Sequence, residues 1–456
     1  MLGHTSRAAS RLLLLVTLVL LLAHQGLSQQ VTVLTNVNVI DGTGKAAQTN
    51  QNLVIQGDHI LSITPAVQPV PSGATVMDLR GKTIMPELIN THGHLGLVKG
   101  TTSSAENQTD DNLRHQLLRY QCYGVGAVLS MGTDGEKFAA WREASRNGTF
   151  PGAAIYTAGI GFGTKDAVPP ASMGFTMVLR PDTPDEARAE VRKQAALKPD
   201  FIKFWLDDFW GQYPKMKPEI YAAIIDEAHR NGLRVAVHVF HLEDARKVVN
   251  LGADVIAHSV RDGEIDDALL TEMRQRHVAY IPTLSLDDFA FAYDNSPAWI
   301  NDPFFQAALD PGLLEMITSP QYKEKLRTTK TTSREEAALP IALRNLKKVF
   351  DAEILVSMGT DSGATPIRVQ GFAEHMELAL MVQAGLTPLQ AITIATKNAA
   401  ELLRINDQFG TLEPGKKADF IVLNGDPSQD IANTRKINSV WKNGQKVSNG
   451  PPNRCN

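Results

Sequence analysis

Cysteine is almost missing from this chain: Cys122 and Cys455 are the only two in 456 residues. A scaffold stapled by several disulfides and a zinc centre built from four thiolates are both excluded. Cys122 falls in a helical stretch that reads as buried, and Cys455 lies in a Pro- and Asn-rich tail. These settings argue against pairing, although an exported chain would be free to oxidise them. There is no excess of basic charge: 45 Lys and Arg face 49 Asp and Glu, a formal net charge of −4. No basic stripe marks a nucleic-acid surface, so no nucleic-acid partner is expected. No apolar run reaches the roughly 20 residues that span a bilayer. Aromatic residues make up only 6% of the chain, so any local crowding of them carries information.

The one conspicuous apolar run, Leu12–Ala23, is broken only by Thr17. Arg7 and Arg11 precede it, and Gly26 and Ser28 follow as small residues. This is the pattern of a secretory signal peptide over 1–28, cut after Ser28. The mature chain is expected to be periplasmic or secreted, with no stable membrane span after cleavage; an uncleaved anchor is the alternative. No Cys stands at the cut, which argues against a lipoprotein. Asn107-Gln108-Thr109 and Asn147-Gly148-Thr149 match the glycosylation triplet, which has meaning only in a eukaryotic secretory pathway. At 43% hydrophobic and 21% charged residues, the chain has the composition of a globular protein with a substantial core.

Two grammars alternate along the chain. From Val31 to Lys82, short alternating strands are separated by turns such as Asp41-Gly42 and Gly57-Asp58. The same pattern returns at 418–444. Neither piece is large enough to fold alone, so the two are expected to pair into one small β-domain. Between them, apolar runs near 87–94, 125–131, 153–159, 200–205, 234–239, 254–258, 278–283 and 354–360 alternate with amphipathic helical stretches. Eight such βα units close into a barrel. The expected fold is α/β: a (β/α)8 TIM barrel over 86–405 with a composite β-sandwich domain from 29–85 and 406–448, and a tail over 449–456. Two long connections, 161–181 and 284–333, read as lids or substrate loops.

The residues suited to chemistry fall at strand ends. In such a barrel these ends converge on one pocket. His92 and His94 are two apart and face the same way on a strand. Lys203 follows Asp200-Phe201-Ile202 on the fourth strand, His238 and His258 end the fifth and sixth, and Asp361 ends the eighth. Imidazoles and a carboxylate suit a divalent metal. A buried lysine beside cationic neighbours is driven to the neutral amine, which reacts with carbon dioxide to give an anionic, two-headed carbamate.

This set resembles the amidohydrolase superfamily in its binuclear, carboxylated-lysine form. The resemblance covers essentially everything after the signal peptide. It extends to Gly410-Thr411-Leu412-Glu413-Pro414-Gly415-Lys416-Lys417-Ala418-Asp419, to Leu386–Ile392 and to Thr396–Ala400. In detail the chain is similar to the imidazolonepropionase-like and prolidase-like (Xaa-Pro and Xaa-Arg dipeptidase) branch. The resemblance implies two divalent ions, with zinc expected. One ion would take His92, His94, Asp361 and the N6-carboxylated Lys203, the other Lys203, His238 and His258. A bridging hydroxide would attack a small-molecule amide, dipeptide or cyclic amide, with Asp361 carrying the proton. There are departures: Glu87 stands where Gly is usual, and Asn90 where Asp is usual. Both lie beside the ligands, so the contact that orients His92 is weakened or remade.

Two rival readings stay open. One is a mononuclear deaminase or cyclic-amidine hydrolase using His92, His94, His238 and Asp361 with Lys203 unmodified; the other is a non-catalytic binding protein on the same fold. Phe204, Trp205, Phe209, Trp210 and Tyr213 crowd the segment after Lys203. Trp205 and Trp210 are candidates to hold an apolar or aromatic substrate group, and Arg261 is a candidate for a substrate carboxylate. His115, His229, His241, His277 and His375 read as surface or supporting positions. The glycines of Gly159-Ile160-Gly161-Phe162-Gly163 read as a mobile loop. A homo-oligomer is left open.

Overall fold

The computed structural model describes residues 30–451, so the expected signal peptide at 1–28 lies outside the described residues. Side-chain alternation builds the barrel from the inside out. In the strand Phe201–Leu206, Ile202, Phe204 and Leu206 point outward and join the core shared with the helices. Phe201 points inward, to an inner core with Ile89, Leu129, Ala236, Val255 and Ile281. Both faces of a parallel strand are thus apolar, as burial on both sides requires.

The barrel strands are Leu88–Gly93, Val125–Ser130, Ala154–Thr157, Phe201–Leu206, Arg234–Val239, Val255–Ala257 and Ala279–Ile281, with an irregular eighth run at 354–360. Parallel ladders join the first three and the next four. Three seams complete the circle. The Phe162 N–H donates to the Lys203 carbonyl at 2.8 Å, that of Tyr280 to Leu355 at 2.9 Å, and that of Thr91 to Met358 at 2.8 Å. The first seam corrects the sequence reading of Gly159–Gly163. The third strand is short, so Phe162, fully buried and bridged to Phe204, continues the barrel wall instead of forming a mobile loop.

A helix follows each strand. Thr109, Thr183 and Asp266 cap three of them by accepting from backbone N–H groups, and Pro184 and Pro218 open two, which satisfies or removes donors the first turn leaves free. The 284–333 connection is mostly helical, with Leu284–Phe289, Pro303–Gln306, Leu313–Thr318 and Pro320–Thr328 leading into the long helix Lys330–Asp351. Among the described residues no helix is long and apolar enough to cross a membrane.

The small domain draws on both chain ends. Its central strand Val31–Val39 pairs in parallel with Thr75–Asp78 along one half and with Thr83–Pro86 along the other, and antiparallel with Gln48–Gln56 on its opposite edge, where the register shifts on either side of Val37. The ends meet where Phe420–Leu423 runs antiparallel to Thr83–Pro86. The sheet then folds over itself. His59 bridges Lys417, and Leu53 and Ile55 share one core with Phe420 and Trp441. Cys122, at the end of the helix Asp110–Cys122, is disulfide-bonded, contrary to the setting its neighbours suggested. Cys455, the other cysteine of the chain, lies outside the described residues.

Candidate metal centre

The six ligand candidates, drawn from four strands and the end of the eighth run, come together at the C-terminal mouth of the barrel, and all six are buried. His94 Nε2 lies 2.9 Å and His92 Nε2 3.3 Å from Asp361 Oδ1. The rings of His92 and His258 are 4.4 Å apart between centroids, as are those of His258 and His238. Lys203 is fully buried, with Nζ 5.5 Å from the Trp205 ring centre.

The backbone is shaped to allow this convergence. His258, Thr283 and Asp361, which end the sixth, seventh and eighth strands, all have positive φ (70°, 49° and 56°). Such conformations cost roughly 1–3 kcal/mol each and gather at functional sites. Two glycines clear space. A Cβ on Gly132 would lie 2.7 Å from Lys203 Cγ, and one on Gly359 would lie 2.6 Å from His92 Cβ.

Neighbouring side chains set which nitrogen of each imidazole is free. His94 Nδ1 stands 2.8 Å from Thr133 Oγ1, and His258 Nδ1 2.8 Å from Thr283 Oγ1. Both rings turn Nε2 toward the pocket. His238 is reversed: its Nε2–H donates to Asp207 Oδ2 at 2.8 Å, which frees Nδ1. Partners of this kind fix the tautomer of a metal-binding histidine. Burial lowers the pKa of His92 to about 3 and, with neighbouring imidazoles, that of His258 well below its usual value, so both imidazoles are neutral at neutral pH.

Burial also lowers the Lys203 amine to about 7. Asp361 goes the other way. Burial would raise its pKa, but the Arg368 guanidinium on Oδ2 and the imidazoles of His92 and His94 outweigh that and hold it well below the usual carboxylate range. Both nitrogens of His92, Nδ1 of His238 and Nζ of Lys203 are buried with no hydrogen-bond partner among the described residues. Leaving such groups unpaired costs a few kcal/mol unless something binds them. Their chemistry and placement fit divalent cations, and His92, His94 and Asp361 stand close enough to share one.

Asn90 stood out in the sequence, whereas Glu374 and Phe175 had no sequence signal of their own. Asn90 remakes the contact that orients His92. Its Oδ1 accepts the His92 backbone N–H at 2.9 Å, and its Nδ2 donates to Glu374 Oε1 at 2.7 Å. Glu374 also accepts from Thr360 and Ser362 hydroxyls. Phe175, from the 161–181 connection, stands edge-on 5.8 Å from the His94 ring and walls the pocket beside Trp205. Of the substrate candidates, Trp205 lies at Lys203, whereas Trp210 packs on Phe240, 5.8 Å away, under Arg334. Arg261 is fully enclosed, with Nε 3.0 Å from Asp287 and 3.6 Å from Glu335. His375 is neither a surface residue nor near the ligands; it is buried between Tyr123 and Thr434.

Residues 83–447 match the amidohydrolase family model, and the chain belongs to that family, among hydrolases of carbon–nitrogen bonds. It is 36% identical over 107 residues to an imidazolonepropionase of Deinococcus deserti, a match spanning 22% of this chain and 26% of that relative. Longer matches are more distant. The ochratoxinase of Aspergillus niger is 24% identical, with 92% of this chain and 87% of that one aligned. A 5-methylthioadenosine/S-adenosylhomocysteine deaminase of Halalkalibacterium halodurans is 23% identical over 86% of this chain and 84% of its own. Among solved structures, a Xaa-Pro dipeptidase with bound methionine superposes with a TM-score of 0.72 at 24% identity, over 92% of this chain and all of that one. These structures share the barrel-and-sandwich fold.

Proposed function

We propose that the chain is an exported amidohydrolase that cleaves the amide C–N bond of a small molecule at two divalent ions, zinc by expectation, bridged by a carbamate on Lys203. Lys203 carries this reading. Its Nζ is fully buried, has no hydrogen-bond partner among the described residues, and is surrounded by imidazoles. An ammonium there would be a buried charge with little compensation. A carbamate formed from the neutral amine and carbon dioxide, with loss of one proton, is an anion that two cations can share.

His92, His94, Asp361 and carboxylated Lys203 would hold one ion, and Lys203, His238 and His258 the other. Bound there, the ions supply a low-pKa water and polarise the scissile carbonyl. Asp361, ionised at neutral pH, takes a proton at its carboxylate and passes it to the leaving amine. Asp207, Thr133 and Thr283 keep the imidazoles in the tautomers that bind cations. Trp205 and Phe175 offer flat apolar surface for a bulky or aromatic group beside the scissile bond. The dipeptidase and ochratoxinase likenesses are consistent with an amide substrate, and the residue 1–28 pattern with export.

Elemental analysis of the purified chain, with turnover measured on N-acyl amino acids, dipeptides, lactones and cyclic amides, tests this. Two ions per chain and hydrolysis of an amide are expected. Lys203→Ala should lose at least one ion and roughly 10³-fold or more in turnover, with partial rescue by short carboxylic acids. One ion per chain with Lys203→Ala still active would favour the mononuclear deaminase-type reading. No ion and no turnover would favour a binding protein.

A further inference from the structure

The helix Phe372–Gln383, which follows the eighth barrel run, carries Glu374 and Glu377 on one face. Glu374 serves the first and eighth strand ends through Asn90, Thr360 and Ser362. Glu377, fully buried, reaches the end of the seventh. Its Oε1 accepts the backbone N–H of Leu284 at 2.8 Å, and its Oε2 that of Ser285 at 2.8 Å. Placing a carboxylate out of reach of water is unfavourable, and a neutral group already stands beside this helix start.

That group is Thr283, at the N-cap of the helix Leu284–Phe289. Threonine is a favoured cap because its hydroxyl accepts an N–H of the first turn. Here its side chain makes no capping bond. Thr283 Oγ1 stands 2.8 Å from His258 Nδ1 instead. Its backbone holds a φ of 49°, which a β-branched residue rarely adopts. The Ser285 N–H, which a capping hydroxyl would take, goes to Glu377. The Ser285 hydroxyl donates to the Thr360 carbonyl at 3.4 Å, one residue before Asp361.

We propose that Glu377 is a positioning residue for the ion assigned to Lys203, His238 and His258. It takes the N–H groups at the helix start and so leaves the Thr283 hydroxyl to fix the His258 ring. The proposal rests on the two-ion reading above. Glu377 acts on the ligand from a distance, with Thr283 between them.

Zinc titration of the metal-stripped full chain against a chromophoric chelator tests this. Burial raises the Glu377 pKa to about 7, so the titration is run at about pH 8, where the carboxylate is mostly ionised. The wild type should take two ions. Glu377→Gln turns an amide NH2 toward one of the two N–H groups. It should weaken one ion about tenfold or more and leave the other unchanged. Thr283→Val, which lacks the hydroxyl, should weaken one ion in the same way. Adding Glu377→Gln to Thr283→Val should then lose no further affinity, a non-additivity that a merely structural role would not give. Should Glu377→Gln fail to fold, Glu377→Asp, one methylene short of the N–H groups, takes its place with the same expectation. If the wild type takes two ions, unchanged affinities in the Glu377 variant, equal losses at both ions or additive losses in the double variant overturn this proposal and leave the two-ion reading standing. A wild type that takes a single ion overturns both.

Discussion

Charge decides the state of individual residues at the metal centre. Arg368, contributed by the segment after the eighth strand, sits on the outer oxygen of Asp361 and favours its ionised form. Arg368→Met removes that positive charge, so the Asp361 pKa rises. The acid limb of the kcat/KM profile should then move to higher pH, with the alkaline limb unchanged; an unmoved acid limb would show that another group controls it. Asn90 is a second case. A carboxylate there would face Glu374, whose own pKa burial already raises. Asn90→Asp should therefore destabilise the fold by about 1–3 kcal/mol, the cost of a spoiled buried hydrogen bond, read as a lower denaturant midpoint at unchanged slope. The sequence shows an Asn in an unusual place. Its reason is Glu374, 284 residues away.

At the scale of elements, the long connections separate what the aromatic and basic candidates do. Trp205 is still on the fourth strand and touches Lys203. Trp210 has left the strand and packs on Phe240. Trp205→Ala should raise KM for substrates with a bulky group, whereas Trp210→Ala should change KM little; equal effects would place both rings at the substrate. Arg261 ties the sixth strand end to the helix Leu284–Phe289 through Asp287 and to the long helix Lys330–Asp351 through Glu335. Removing one partner of such a buried network costs about 3–5 kcal/mol. Arg261→Ala should thus lower the unfolding temperature and leave KM for carboxylate-bearing substrates unchanged in whatever remains folded. A selective loss of carboxylate substrates with full stability would restore its role in binding.

For the whole molecule, His375 ties the barrel to the small domain's last segment through Tyr123 and Thr434. Burial holds its pKa at about 3, against about 6.5 in an unfolded chain. The unfolded state takes up this proton first, so the stability is complete above pH 6.5 and is lost as pH falls toward 3, at about 1.36 kcal/mol per unit. His375→Gln can keep both hydrogen bonds and does not titrate, so its unfolding temperature should fall less steeply than the wild type's between pH 6.5 and 4. Parallel curves would assign the acid sensitivity elsewhere. The barrel and the His92, His94, Lys203, His238, His258 and Asp361 set were legible in the sequence because both are local. Strand periodicity and a polar residue at a strand end are written in neighbouring positions. The tautomers, the charge on Lys203, the Phe162 seam, the enclosure of Arg261 and the reach of Glu377 to the seventh strand end were decided only by the tertiary structure. Each depends on which groups from distant segments share a low-dielectric space, and a residue's own neighbours do not specify that.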